Sequence, residues 1–143
     1  MFSGEYKHTV DNKKRMALPA KFRRELGKKI VVTRGIDKCL IVYPEKEWNK
    51  KSSKIEKLPE ARREARDYSR IILGGAMYVT LDKLGRILLP DYLKKYAGLK
   101  KDVVVCGLSN RFEIWDTKKW KNFKERVEPK VDKMASNLEE LGI

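Results

Sequence analysis

The sequence predicts an α+β protein, mainly β, in which one folding unit is written twice. Three observations carry this. Asp11-Asn12-Lys13-Lys14-Arg15-Met16-Ala17-Leu18-Pro19 recurs as Asp82-Lys83-Leu84-Gly85-Arg86-Ile87-Leu88-Leu89-Pro90, with Asp, Arg and Pro 71 positions apart and an apolar triplet before each Pro. Further on, Lys29-Ile30-Val31-Val32 answers to Lys101-Asp102-Val103-Val104, Gly35 to Gly107 and Trp48 to Trp120, now 72 apart. Within each copy, short apolar runs with strand periodicity are punctuated by Gly, Pro and Asp. Self-similarity of this length sets the architecture before local propensity does. Copies of about 50 residues bury too little apolar surface to be robust singly, so the two are expected to share a core.

Tyr6, His8 and Val10 alternate with Lys7 and Thr9, the period of a half-buried strand. Asp11 to Lys14 then supplies a turn, because an Asp side chain can accept backbone N–H groups two residues on. Met16 to Leu18 resumes the strand. In the second copy Met77, Val79 and Leu81 lead into Asp82-Lys83-Leu84-Gly85, where Gly takes the positive φ of a tight hairpin. Lys14 stands in the Gly85 position of the first copy, so that loop either accepts a steric cost or turns differently.

Pro19 and Pro90 pre-set the first turn of a helix. Leu18, Phe22 and Leu26 share one helical face, as do Leu89, Leu93 and Tyr96, and Gly27 and Gly98 end the helices. Ile30–Arg34 and Cys39–Tyr43 flank Gly35-Ile36-Asp37-Lys38 as a hairpin. Val103–Cys106 and Arg111–Trp115 flank Gly107-Leu108-Ser109-Asn110 in the same way. A helix starts near Trp48 or Trp120 in each copy. Pro59 is expected to open a connecting helix reaching Leu73, with Ala61, Ala65, Tyr68 and Ile72 inward and Gly74-Gly75 as its stop. In the tail, Val131, Met134, Leu138 and Leu141 form an apolar stripe that packs on its own domain or on a neighbouring subunit. The expected division is a first unit at 1–57, a connecting helix at 58–75, a second unit at 76–128 and a helical tail at 129–143.

The 143 residues hold 34 Lys and Arg against 20 Asp and Glu, a net charge of +14. Such an excess predicts a polyanionic partner, nucleic acid first. Residues 1–57 carry 16 basic and 7 acidic side chains, residues 75–143 carry 14 and 10, so the first copy is the stronger anion binder. Cys39 and Cys106 do not occupy equivalent places and neither belongs to a metal-spaced pair, so both read as reduced core thiols of a cytoplasmic chain. Glu5, Lys7 and His8 interrupt any apolar leader, and no run approaches a membrane span.

No catalytic set is legible. His8 is the only histidine, so any nucleophile activation through histidine would rest on it alone. Asp11 and Asp82 each precede an Arg by four residues in a turn, where capping the loop and orienting the guanidinium is the simpler role. No phosphate loop, dinucleotide fingerprint or metal-ligand spacing is present, and neither a cofactor nor a small-molecule substrate is expected. The basic turns carry the functional reading. Lys13, Lys14 and Arg15 sit at one hairpin tip, and Lys83 and Arg86 repeat the arrangement, with Arg23-Arg24 and Lys94-Lys95 on the helices beside them. Arg offers a planar fork for phosphate or guanine edges, and Lys a point charge for the backbone.

The doubled Asp-x-x-x-Arg, apolar triplet and Pro resembles the MraZ family. So do the opening Met1-Phe2-Ser3-Gly4-Glu5-Tyr6, the block Arg34-Gly35-Ile36-Asp37 with Cys39-Leu40 and Tyr43-Pro44, and the block Gly107-Leu108-Ser109-Asn110-Arg111 with Glu113-Ile114-Trp115. The similarity spans essentially the whole chain, and a single unit is similar to the AbrB/SpoVT swapped-hairpin DNA-binding domain. The resemblance implies duplicated AbrB-like swapped-hairpin β-barrel units forming an intrachain pseudo-dimer with peripheral helices. It implies a transcriptional regulator, a repressor, that forms a homo-oligomeric ring in the cytoplasm at the nucleoid. Its partner would be double-stranded DNA carrying short direct repeats upstream of the division and cell-wall genes, its own gene included. By the same resemblance the DNA-facing residues are Lys13, Lys14, Arg15, Lys83 and Arg86, with Arg23 and Arg24 beside them, and Asp11, Asp82 and Gly85 orient the turns. Lys14 departs from the family's usual Gly. The competing reading is a non-specific nucleic-acid-binding or nucleoid-packaging protein. A third, a methyltransferase-like enzyme, has no cofactor-cradling loop in its favour.

Overall fold

The computed structural model describes Met1–Ile143. Strands β1 (Phe2–Thr9) and β2 (Arg15–Ala17), helix α1 (Ala20–Leu26), strands β3 (Ile30–Arg34) and β4 (Leu40–Pro44) and helix α2 (Glu45–Glu56) come first. After α3 (Arg63–Ile72) the same order returns as β5 (Met77–Val79), β6 (Arg86–Leu88), α4 (Asp91–Tyr96), β7 (Asp102–Ser109), β8 (Phe112–Asp116) and α5 (Thr117–Val127). The tail holds α6 (Val131–Asn137) between single 3-10 turns at Glu128–Lys130 and Glu139–Leu141.

The copies are joined strand by strand. A six-stranded antiparallel sheet runs in the order β1-β7-β8-β4-β3-β5, and β2 pairs with β6 in a separate two-stranded ribbon. Each copy's opening strand therefore pairs with a strand of the other, β1 with β7 and β5 with β3. In the ribbon Met16 faces Ile87, its own counterpart in the repeat, and between β4 and β8 Ile41 faces its counterpart Glu113. A pseudo-twofold axis relating the copies passes through both pairs.

This pairing places one core between the copies, as the size of each unit requires. Met16, Leu18 and Phe22 from one side and Ile87, Leu89 and Leu93 from the other are all at most 2% exposed. Phe22 stacks against Phe2, Tyr6 and Phe112 with ring centroids 5.0–5.3 Å apart. Each such side chain contributes about 1.5–3 kcal/mol on burial. A satellite cluster of Val31, Tyr43, Trp48, Ile55 and Ile72 seats α2 and α3, and another around Val104, Trp115 and Trp120 seats α5. Between the copies, Arg34 lies over the rings of Tyr92 and Tyr96, and the Tyr96 hydroxyl donates to the Gly35 carbonyl at 2.5 Å.

Four expectations change. Ile30 and Val32 enter the shared core as Val103 and Val105 do, so the third strands correspond at 73 positions rather than 72. The segment after Gly98 is two residues longer than that after Gly27, and the turn into β8 is one shorter than that into β4. Gly107 is not a turn residue: it sits inside β7 opposite Gly4, where a Cβ would lie 2.3 Å from the Ser3 nitrogen. The turn instead uses Ser109 at φ 68°, with Asn110 and Arg111.

Pro59 does not open the connecting helix. The Arg62 amide donates to its carbonyl in a turn, α3 begins at Arg63, and Ala61 is exposed. The tail's stripe also fails to fold back on its own domain, with Val131 50% and Leu141 73% exposed. No helix is long and apolar enough to cross a membrane.

Candidate nucleic-acid interface

Both Asp-x-x-x-Arg segments form the same closed loop. Asp11 Oδ1 accepts the amides of Lys13 and Arg15 at 2.9 Å each, and Asp82 Oδ1 those of Leu84 and Arg86 at the same distances. The Lys14 and Gly85 amides donate back to the Asp11 and Asp82 carbonyls at 3.0 Å. Lys14 takes φ 62° where Gly85 takes φ 74°. The first loop thus keeps the glycine shape with a lysine in it, at a backbone cost of about 1–2 kcal/mol.

The second carboxylate oxygen of each aspartate holds the arginine. Arg15 Nε lies 3.4 Å from Asp11 Oδ2, and Arg86 Nε 2.7 Å from Asp82 Oδ2. Arg86 Nη1 also reaches within 3.9 Å of Asp11 Oδ2, so the two guanidinium groups converge on one carboxylate. The Arg15 amide, ahead of the other partners, holds the Asp11 carboxyl below its ordinary range, and the Arg86 amide does the same for Asp82. Both aspartates are therefore anionic at neutral pH.

Strand alternation fixes what the ribbon shows. Met16 and Ile87 point into the core, leaving Arg15 opposite Leu88 and Ala17 opposite Arg86 on the outer face. The arginine side chains are 34% and 27% exposed, enough for the forks to reach a partner while their stems stay packed. The paired outward face and the role of Asp11 toward Arg86 were missed by sequence reasoning, because they depend on a cross-copy register that no local spacing encodes.

The other predicted residues divide. Lys13 and Lys83 are exposed at the tips with no ion-pair partner. Lys14 Nζ is paired with Asp91 Oδ1 at 2.5 Å, which ties the first loop to α4. Arg23 packs against the second loop: its Nε donates to the Leu18 carbonyl at 2.9 Å, and a Cβ on Gly85 would lie 2.4 Å from its guanidinium carbon. Gly85 is needed twice over, for its φ and for the arginine stacked on it. Arg24 is exposed in a depression shared with Met1, Ser3 and Glu25, not with the turns. His8 is half-buried, its imidazole held below its ordinary pKa by burial and then by Arg23. Cys39 and Cys106 are free thiols; burial pushes Cys106 up to about 11, and Cys39 higher still.

Fold and site define a class: a tandem-repeat α+β protein whose copies share one core and present twin, aspartate-anchored arginine turns on a two-stranded ribbon. A family model described as "MraZ protein, putative antitoxin-like" matches twice, at residues 1–71 and 72–139. The chain is 47% identical to "Transcriptional regulator MraZ" of Halothermothrix orenii and 46% identical to that of Natranaerobius thermophilus, in both cases over the full length of both chains. It is 46% identical to the protein of the same name from Ligilactobacillus salivarius over 96% of each. The chain belongs to the MraZ family.

Proposed function

We propose that this protein is a sequence-specific, DNA-binding transcriptional regulator acting as a repressor, with the β2–β6 ribbon as its reading head. One observation carries the proposal: Arg15 and Arg86, one from each copy, are oriented by Asp11 and Asp82 on the same outward ribbon face. A two-stranded ribbon fits the major groove, where an arginine fork can pair with guanine O6 and N7. Lys13 and Lys83 at the tips contact phosphates and set register without reading sequence. Gly85, Arg23 and the Lys14–Asp91 pair shape the loops, and Arg24 adds only long-range charge. The names of the relatives support a regulator over an enzyme.

In this reading the chain is an intrachain pseudo-dimer of AbrB-like swapped-hairpin units at 1–57 and 76–128, a reading supported by the exchange of strands between the copies. The connecting segment at 58–75, which holds α3, and the tail at 129–143 lie outside the reading units. Several chains form a ring, each addressing one of the direct repeats upstream of the division and cell-wall gene cluster, and tethering multiplies weak contacts. The protein works in the cytoplasm at the nucleoid.

The net charge of +14 favours a second reading, non-specific nucleic-acid binding. A mobility-shift series on DNA upstream of the protein's own gene against scrambled duplex, across salt, separates the two. Regulation requires a preference for the upstream DNA that survives added salt; equal retreat from both duplexes leaves only the non-specific reading. Light-scattering mass on the same sample tests the ring.

A further inference from the structure

The two halves of the reading head match at the arginines and differ beside them. Two residues after Arg15 stands Ala17; two residues after Arg86 stands Leu88, which is 57% exposed on the ribbon's outer face directly opposite Arg15. The tips differ in the same sense: the counterpart of exposed Lys13 is Leu84, 65% exposed. Both tips carry a lysine, but beside its arginine the first copy presents only the small Ala17, whereas the second presents two uncovered leucines, Leu84 and Leu88. Leu88 makes no contribution to the shared core, which takes Ile87 and Leu89 on either side of it.

A protein with a true twofold axis reads both halves of its site alike and cannot tell one direction along the duplex from the other. Resting on the DNA-binding reading, we propose that Leu88 is a specificity-determining residue that packs against the C5-methyl group of a thymine, and that the Leu88/Ala17 difference fixes which way round the chain sits. The chemistry is matched: thymine is the one base with a methyl group in the major groove, and apolar side chains recognise it there. The occupant is duplex DNA because Leu88 pairs across the ribbon with Arg15, and both share the outer face with Arg86, a cationic setting suited to a polyanion and not to an apolar protein surface. An oriented chain can address repeats that all point the same way.

The test uses the full-length protein. Duplexes are enriched from a random pool by the wild type, and each thymine in the enriched site is replaced singly by deoxyuridine, which removes only the methyl group. Affinity is then measured by fluorescence anisotropy for the wild type, Leu88→Ala, and the exchanged pair Ala17→Leu with Leu88→Ala. One replacement is expected to weaken the wild type roughly three- to fivefold, the worth of one buried methyl, and to leave Leu88→Ala unaffected. In the exchanged pair the sensitive thymine moves to the opposite half of the site. Because Leu88 is exposed, Leu88→Ala keeps the wild type's melting temperature. The proposal is overturned if no thymine in the enriched site is sensitive, or if Leu88→Ala keeps the wild type's sensitivity; in either case sequence-specific binding itself still stands. Failure to enrich any sequence removes the DNA reading and this proposal with it.

Discussion

Met16 and Ile87 face each other across the β2–β6 ribbon, fully buried, and each is the other's counterpart in the repeat. The symmetry of the sequence is thereby converted into a single core, and neither copy can close it alone. Met16→Ala or Ile87→Ala should cost about 2–5 kcal/mol through the cavity left behind. Urea unfolding followed by tryptophan fluorescence and by circular dichroism should give one coincident transition for wild type and variants alike. Two separated transitions would mean that the copies fold independently.

Lys14 and Gly85 occupy the same left-handed position in loops with the same hydrogen bonds. Lys14→Gly relieves backbone strain and removes an exposed ion pair with Asp91 that is worth less than about 1 kcal/mol. The variant should be as stable as the wild type or up to about 1 kcal/mol more stable. Gly85→Ala should lose roughly 1–2 kcal/mol, since it adds the same strain and drives a Cβ into the Arg23 guanidinium. Thermal melts of both variants check the contrast in sign.

Much of this was legible in the sequence, and the reasons are local. Asp-x-x-x-Arg specifies its loop because one carboxylate serves two amides and a guanidinium within five residues. The helices after Pro19 and Pro90 follow from fixed φ and an i, i+4 apolar spacing. What escaped was the choice of partner. β2 carries three residues, and nothing in Arg15-Met16-Ala17 says that Arg86-Ile87-Leu88 lies beside it. Gly107 reads as a turn residue in the sequence because a glycine needed for close strand approach and one needed for a turn look the same there. Nor does the sequence place Arg23 against Gly85 of the other copy, because that contact is set by tertiary packing.

His8 gives the fold a pH dependence. Burial first and Arg23 second hold its pKa below 6.5, so the folded protein prefers the neutral imidazole. Between that depressed value and 6.5 the unfolded chain binds more protons, and stability rises with pH through this window. The contribution is complete above 6.5 and is lost as pH falls through the folded-state value. Melting temperatures of His8→Asn, followed from about pH 8 down to about pH 5, should fall less than those of the wild type. Parallel curves would mean that His8 is not the group responsible.

The central claim is that the ribbon arginines read bases while the tip lysines hold the backbone. It is tested most directly by measuring the affinities of Arg15→Ala, Arg86→Ala and Lys13→Ala for enriched and scrambled duplexes across a salt series. Each arginine variant should lose about 1–3 kcal/mol on the enriched duplex and little on the scrambled one, and Lys13→Ala should weaken both alike and reduce the salt slope by about 1. Equal losses on the two duplexes for the arginine variants would contradict the account.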